Sequence, residues 1–346
     1  MSALLAQRCV KRDGGCDLTM HTRRDEVAPT VGRRRFLVET GRLALLGALG
    51  SMAGGGLRQP RDTDVGNGAP TRAARSRPST LPRSGLSFTR QGSGPPLLLL
   101  HGAGSSGRAW STVTRRLAQR YDVLAPDLPG FGQSPALWDT APDVPALADA
   151  VADWLKKIRV ERPHIVGNSL GGGVAIELWM RRAAQSVTVL SPIGFWSSAE
   201  FIYAQQAIKH AYAVANQLRP LIPLIIKSTA ASALTGLFYA KTSQLETEYL
   251  VDAIEDMLDA APTLFETVDA TRRYQVGRYQ TDTPLTIAWG AEDRLLIGQQ
   301  HQRARNRIFG ARHMLLPGCG HVCMADDPAL VIRTINETVI RSTATG

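Results

Sequence analysis

Cysteine is scarce in this chain of 346 residues: Cys9 and Cys16 lie near one end, Cys319 and Cys323 near the other. Two pairs so far apart build no disulfide framework, and without a paired C-x-x-C they offer no zinc site. Aromatic residues supply only 6% of the chain, and no apolar run reaches the roughly 18 residues of a membrane span. Positive charge, +10 overall, is missing from most of the length. Residues 1–83 hold 15 Lys and Arg against 7 acids, which leaves only +2 for residues 84–346. A body so nearly neutral argues against a basic nucleic-acid-binding face. The length itself is ample for a buried core.

The charged end has an organisation of its own. Arg33-Arg34, one spacer, then Phe36-Leu37, followed by a short Gly/Ala-rich apolar stretch from Leu43 to Ala53, resemble a twin-arginine export signal. Residues 1–57 are therefore expected to be a leader. It would send the protein to the periplasm, cell envelope or exterior, with transient membrane contact on the way. The alternative is an Arg-rich disordered tail on a cytoplasmic protein. Residues 58–83, polar and rich in Pro and Gly without periodicity, are expected to be a linker.

From residue 84 onward short apolar runs alternate with helical patterns, which predicts an α/β fold with a mostly parallel central sheet flanked by helices. Strands are expected at 86–91, 96–102, 121–128, 164–168, 187–192, 284–290 and 313–318, and helices at 106–119, 144–158, 170–184 and 326–341. Residues 195–277 contain no convincing strand and are too long for a loop. They are read as an inserted helical cap, with 84–194 and 278–346 forming the core.

Chemistry concentrates at Gly167-Asn168-Ser169-Leu170-Gly171, a G-x-S-x-G between a strand and a helix. Such a turn lifts the serine hydroxyl above the sheet, and glycines on either side let strand and helix approach. A serine nucleophile needs a base, and the base an orienting acid. His321, in GCGHVC after the last strand, is the base expected; Asp293, in WGAEDR after the strand before it, is the acid, with Glu292 its rival. His101, His164, His210, His301 and His313 are read as structural or surface residues. Asp127 is expected to hold its own loop, and Asp326 and Asp327 to cap the final helix. Backbone N–H groups of Leu170 and of Ala103, in HGAG, are the expected oxyanion donors.

HGAG (101–104), DLPGFGQS (127–134), GNSLGG (167–172), WGAEDR (289–294) and GCGH (318–321) together resemble the α/β-hydrolase superfamily over residues 85–342, specifically its cap-bearing serine hydrolases. The resemblance implies the α/β-hydrolase fold and a Ser169–His321–Asp293 triad acting on esters of small to medium apolar substrates, with no metal or organic cofactor. Asn168 matches a residue used by hydrolases that cleave carbon–carbon bonds of ring-fission products. That group often places Trp after its histidine, whereas Val322 stands here, so ester hydrolysis is favoured. Lactones and thioesters are further alternatives, and a ligand receptor of the same fold is the non-enzyme one. Substrate contacts are assigned to Asn168 and to Phe195 and Trp196 at the start of the cap. Phe201, Tyr203, Phe238, Tyr239, Phe265 and the apolar LIPLII (221–226) are read chiefly as packing cap on core. Cys319 and Cys323 are expected to be buried free thiols.

Overall fold

The computed structural model describes residues 85–226, 228, 235–280 and 282–343. The leader and linker, with Arg33, Arg34, Cys9 and Cys16, lie outside the described residues.

Seven strands form one sheet: β1 (Phe88–Gln91), β2 (Pro96–Leu100), β3 (Asp122–Pro126), β4 (His164–Asn168), β5 (Ser186–Leu190), β6 (Leu285–Gly290) and β7 (Arg312–Leu316). Their spatial order is β1-β3-β2-β4-β5-β6-β7, and only the β1–β3 pairing is antiparallel. Strands β4, β5 and β6 are buried at every residue, as unbroken apolar runs require when both faces are covered. Alternation divides them cleanly. Leu98, Leu100, Ile165 and Val187 join the larger core, while Leu97, Leu99, Val166 and Leu190 join the smaller one across the sheet.

The larger core is closed by α2 (Val144–Lys157) and α3 (Leu170–Met180), the smaller by α1 (Ser111–Leu117) and the last helix. Helix α2 begins where Asp143 caps the Ala146 N–H at 2.9 Å, with Pro145 inside its first turn. Between β5 and β6 the strand-free interval is filled by α4 (Ser198–Leu218), α5 (Ile222–Ile225), α6 (Thr247–Asp259) and α7 (Thr263–Ala270). Ser197 and Glu200 cap α4 reciprocally. Then follow α8 (Gln300–Arg307), the one-turn α9 (Cys323–Asp326) and α10 (Pro328–Thr343).

The chain leaves β2 towards β3 on one side and later returns to lay β4 on the other. Loops at the C-terminal ends of β2 and β4 consequently face each other across a crevice, the usual position for a site in an open parallel sheet.

Candidate active site

Ser169 stands at the junction of β4 and α3 with φ 55° and ψ −115°, a backbone conformation that non-glycine residues rarely adopt. Its neighbours hold it there. The Ser169 N–H donates to Leu190 O at 3.0 Å, while its carbonyl accepts from Gly173 N at 3.0 Å and Ile193 N at 3.1 Å. A Cβ added to Gly167 would lie 2.2 Å from Gly171 O, and one added to Gly171 would lie 2.3 Å from Leu100 O. Strand and helix thus touch backbone to backbone, and only glycine fits.

The β2 loop closes on the same point. Gly171 N donates to His101 O at 3.1 Å, and a Cβ on Gly102 would sit 3.2 Å from the Ser169 Cβ. His101 is fully buried; Leu128 N donates to its Nε2 at 2.8 Å, so its Nδ1 bears the hydrogen and donates to Gly102 O at 2.8 Å. That neutral tautomer fixes the loop carrying Ala103. Neither the Ala103 nor the Leu170 N–H is taken by an acceptor among the described residues.

Asp293 and His321, from the ends of β6 and β7, form a buried pair with Nδ1 to Oδ2 at 2.9 Å; their side chains are 2% and 4% exposed. Asp293 Oδ1 accepts from the Leu295 and Leu296 N–H groups, both at 2.9 Å. Burial alone would raise the Asp293 carboxyl. The facing imidazole, the Leu296 N–H and the Ser191 hydroxyl outweigh it and hold the group below the ordinary carboxylate range. Glu292 is exposed, its N–H donating to Cys319 O at 2.9 Å. His321 Nε2 is buried without a hydrogen-bond partner among the described residues, so it makes no bond to the serine hydroxyl in this structure. Ser169 and His321 nevertheless border the same cavity of about 750 Å³.

Several assignments change on inspection. Both hydrogen bonds donated by the Asn168 amide are internal, to Leu190 O at 3.0 Å and His321 O at 2.9 Å, though the residue also borders the cavity. Phe195 is completely buried and borders neither cavity beside Ser169, because its ring belongs to the larger core. Trp196 and Phe201, stacked edge to face at 5.1 Å, border a smaller cavity of about 40 Å³ that also touches Ser169. Phe238 and Tyr239 border the large one. Tyr203 is exposed and donates to Arg294 O at 2.9 Å, and Phe265 stacks on Tyr212. In LIPLII, Ile222 and Ile226 are buried but Leu221 and Leu224 face outward.

Asp127 accepts from Gly107 N at 2.8 Å and Gln133 N at 2.9 Å, holding its own loop. Asp327 caps α10 through Leu330 N at 2.9 Å. Asp326 does not cap it. Its carboxylate gathers Gly320 N at 2.7 Å, Lys241 N at 2.8 Å and Ala240 N at 3.0 Å, joining the histidine loop to the cap. Val322 N adds a bond to Phe238 O at 3.0 Å. A second cap-to-core link runs from Ser106 Oγ to Asp256 Oδ2 at 2.6 Å. In the sequence Asp326 was indistinguishable from an ordinary capping aspartate.

Cys319 and Cys323 are free and buried, and Cys323 Sγ donates to Gly320 O at 3.3 Å. Its hydrogen bond with Cys319, together with burial, pushes the Cys323 thiol well up, so it is protonated and unreactive. Among the described residues no group of three or more His, Cys, Asp or Glu could hold a metal ion.

Residues 97–334 match the Alpha/beta hydrolase family. An uncharacterized protein of Mycobacterium tuberculosis is 30% identical over 261 residues, 71% of this chain and 75% of that one. A pimeloyl-[acyl-carrier protein] methyl ester esterase of Aeromonas hydrophila is 40% identical over 119 residues, 34% of this chain and 45% of that protein. Among solved structures, a bacterial membrane phospholipase A superposes with TM-score 0.60 at 24% identity, covering 75% of this chain and 83% of its own. That last likeness is one of fold alone.

Proposed function

Because the chain belongs to the alpha/beta hydrolase family, we propose that it is a serine hydrolase of carboxylic esters, with Ser169 as nucleophile, His321 as base and Asp293 as its orienting acid. The observation that carries this is the 2.9 Å His321–Asp293 pair, whose remaining nitrogen is unpartnered beside the cavity that Ser169 also borders. The missing serine–histidine bond fits this proposal, since such bonds are often long in unliganded sites and tighten with substrate.

In this mechanism Ser169 Oγ forms a bond to the ester carbonyl carbon as its proton passes to His321 Nε2. The oxygen of the tetrahedral adduct accepts from the Ala103 and Leu170 N–H groups. Collapse breaks the carbon–oxygen bond to the alcohol, which takes the proton from His321 and departs. Water then attacks the acyl-serine, giving its proton to His321, and the acid is released as that proton returns to Ser169. Asp293 stays ionised throughout and stabilises the imidazolium. The apolar lining given to the large cavity by Ile208, Phe238, Met257, Leu264 and Leu295 supports an uncharged substrate.

Ser169→Ala should lower turnover of 4-nitrophenyl esters by several orders of magnitude while leaving the fold intact. Retained activity would refute the assignment. Sustained turnover separates a hydrolase from a receptor that reacts once, and a ring-fission substrate cleaved in preference to every ester would favour the carbon–carbon alternative. We also propose that Arg33 and Arg34 direct export. A double Lys replacement should leave the protein in the cytoplasmic fraction.

A further inference from the structure

The loop that carries Ala103 is hydrogen-bonded only at its ends. Ala103, Gly104 and Ser105 make no hydrogen bond among the described residues, and Gly104 takes a φ of 69°. At the near end His101 is tied into the core by Gly171 N at 3.1 Å and Leu128 N at 2.8 Å. At the far end the first tie comes from the cap. The buried Ser106 donates its hydroxyl to Asp256 Oδ2 at 2.6 Å and accepts from Arg108 N on the same oxygen at 3.2 Å. The other Asp256 oxygen meets the Arg108 guanidinium. Gly107, next along, is held by the core through Asp127 Oδ1 at 2.8 Å.

Asp256 lies in α6, and its side chain is only 7% exposed. A carboxylate so nearly buried is costly unless its oxygens are bonded, so the contacts to Ser106 and Arg108 fix it in place. The cap also covers the middle of the loop: a Cβ on Gly104 would lie 3.2 Å from Leu264 Cδ1 and 3.4 Å from Met257 Cγ. A short span anchored by the core at one end and by the cap at the other holds its N–H groups only as well as both anchors hold. Placement matters greatly for such groups, since a shift of about 1 Å can cost roughly 100-fold in rate.

On the ester-hydrolase proposal above, on which this inference rests, the Ala103 N–H donates to the oxygen of the tetrahedral adduct. We propose that Asp256 is a positioning residue for that bond: from the cap it fixes Ser106 and thereby sets where the Ala103 N–H points. Its effect reaches the reaction only through Ser106. A cap residue that merely covers the cavity acts on substrate binding, whereas Asp256 acts on the charge that forms after Ser169 attacks.

Asp256→Ala and Ser106→Ala break the link from its two sides. Either should lower kcat for a 4-nitrophenyl ester about 10- to 100-fold, with KM changed less than about threefold. Asp256→Asn keeps an oxygen for Ser106 and should recover most of kcat. Asp252→Ala, which removes the exposed 3.1 Å ion pair to Arg108, should change kcat less than about twofold. A rise in KM and a fall in Tm with kcat intact would reduce Asp256 to cap packing and overturn the inference. The second readout is an alkyl trifluoromethyl ketone labelled at its carbonyl carbon. Ser169 Oγ bonds to that carbon, the hydroxyl proton passes to His321 Nε2, and the former carbonyl oxygen becomes an anion whose ionisation carbon NMR follows with pH. Donors that favour the anion lower its pKa. Ser106→Ala should therefore raise it, by about one pH unit for each tenfold lost from kcat. An unshifted pKa would overturn the inference and leave the hydrolase standing. No adduct in the wild-type protein would instead sink the hydrolase, and the inference with it.

Discussion

The side-chain amide of Asn168 donates to the main-chain carbonyl of His321 at 2.9 Å, tying the residue before Ser169 to the backbone of His321. The same nitrogen reaches Leu190 O at 3.0 Å, so one buried group spans the ends of three strands. Asn168→Ala removes the donor and strands a buried carbonyl, costing about 1–3 kcal/mol. A lower denaturation midpoint and a fall in kcat larger than the change in KM are expected. An unchanged kcat would show that the link is dispensable for alignment.

Asp293→Asn retains shape but loses the charge that steadies the imidazolium. The expected fall in kcat is roughly 10⁴-fold, the size seen when a triad acid becomes an amide. Glu292→Gln, on an exposed side chain one residue away, should change kcat less than twofold. Steady-state kinetics on both variants decides between the two carboxylates, and the reverse ordering would move the acid to Glu292.

Acid should weaken the fold before it touches the carboxylates. Burial pushes His101 below the ordinary imidazole value of about 6.5 and outweighs its bond to Gly102 O; burial does the same to His164 and His313. A depressed folded-state value means the unfolded chain binds the proton first. The stabilisation is therefore complete above about pH 6.5 and drains away as pH falls towards the folded values. Asp293 and Glu200, also depressed, act only below about pH 4.5. Urea midpoints should drop between pH 7.5 and 5.5, with a smaller drop in His101→Asn. A flat profile would contradict this.

Two glycine substitutions should differ sharply. Gly167→Ala drives a methyl to 2.2 Å from Gly171 O, whereas a Cβ on Gly277 meets no atom within 4 Å. Gly167→Ala should abolish activity and lower Tm by many degrees; Gly277→Ala should be neutral or slightly stabilising. Thermal melts and a single ester assay suffice.

The central strands were legible in the sequence because burial on both faces leaves unbroken runs such as PLLLL and LTIAWG; the edge strands β1 and β7, exposed or half-buried for most of their length, were read from short runs bounded by turn signals. The turn at Ser169 was legible because it demands glycine, and the pairing of Asp293 with His321 because each follows a strand end. What could not be read depended on pairing across distance. Phe195 and Trp196 are adjacent aromatics buried in the same core, yet only Trp196 also borders a cavity. Asp326 and Asp327 are adjacent aspartates, yet one caps a helix and its neighbour collects three backbone N–H groups from two separate segments. Composition is blind to such differences, since they are set by how distant segments are brought together.

The Asp326 carboxylate holds two segments that are far apart in the chain. Gly320, beside His321, and Ala240 and Lys241, which follow the cavity-lining Tyr239, all donate to the same two oxygens. Losing this one carboxylate would therefore free three backbone N–H groups at once, loosening the segments that carry Tyr239 and His321 on two sides of the same cavity.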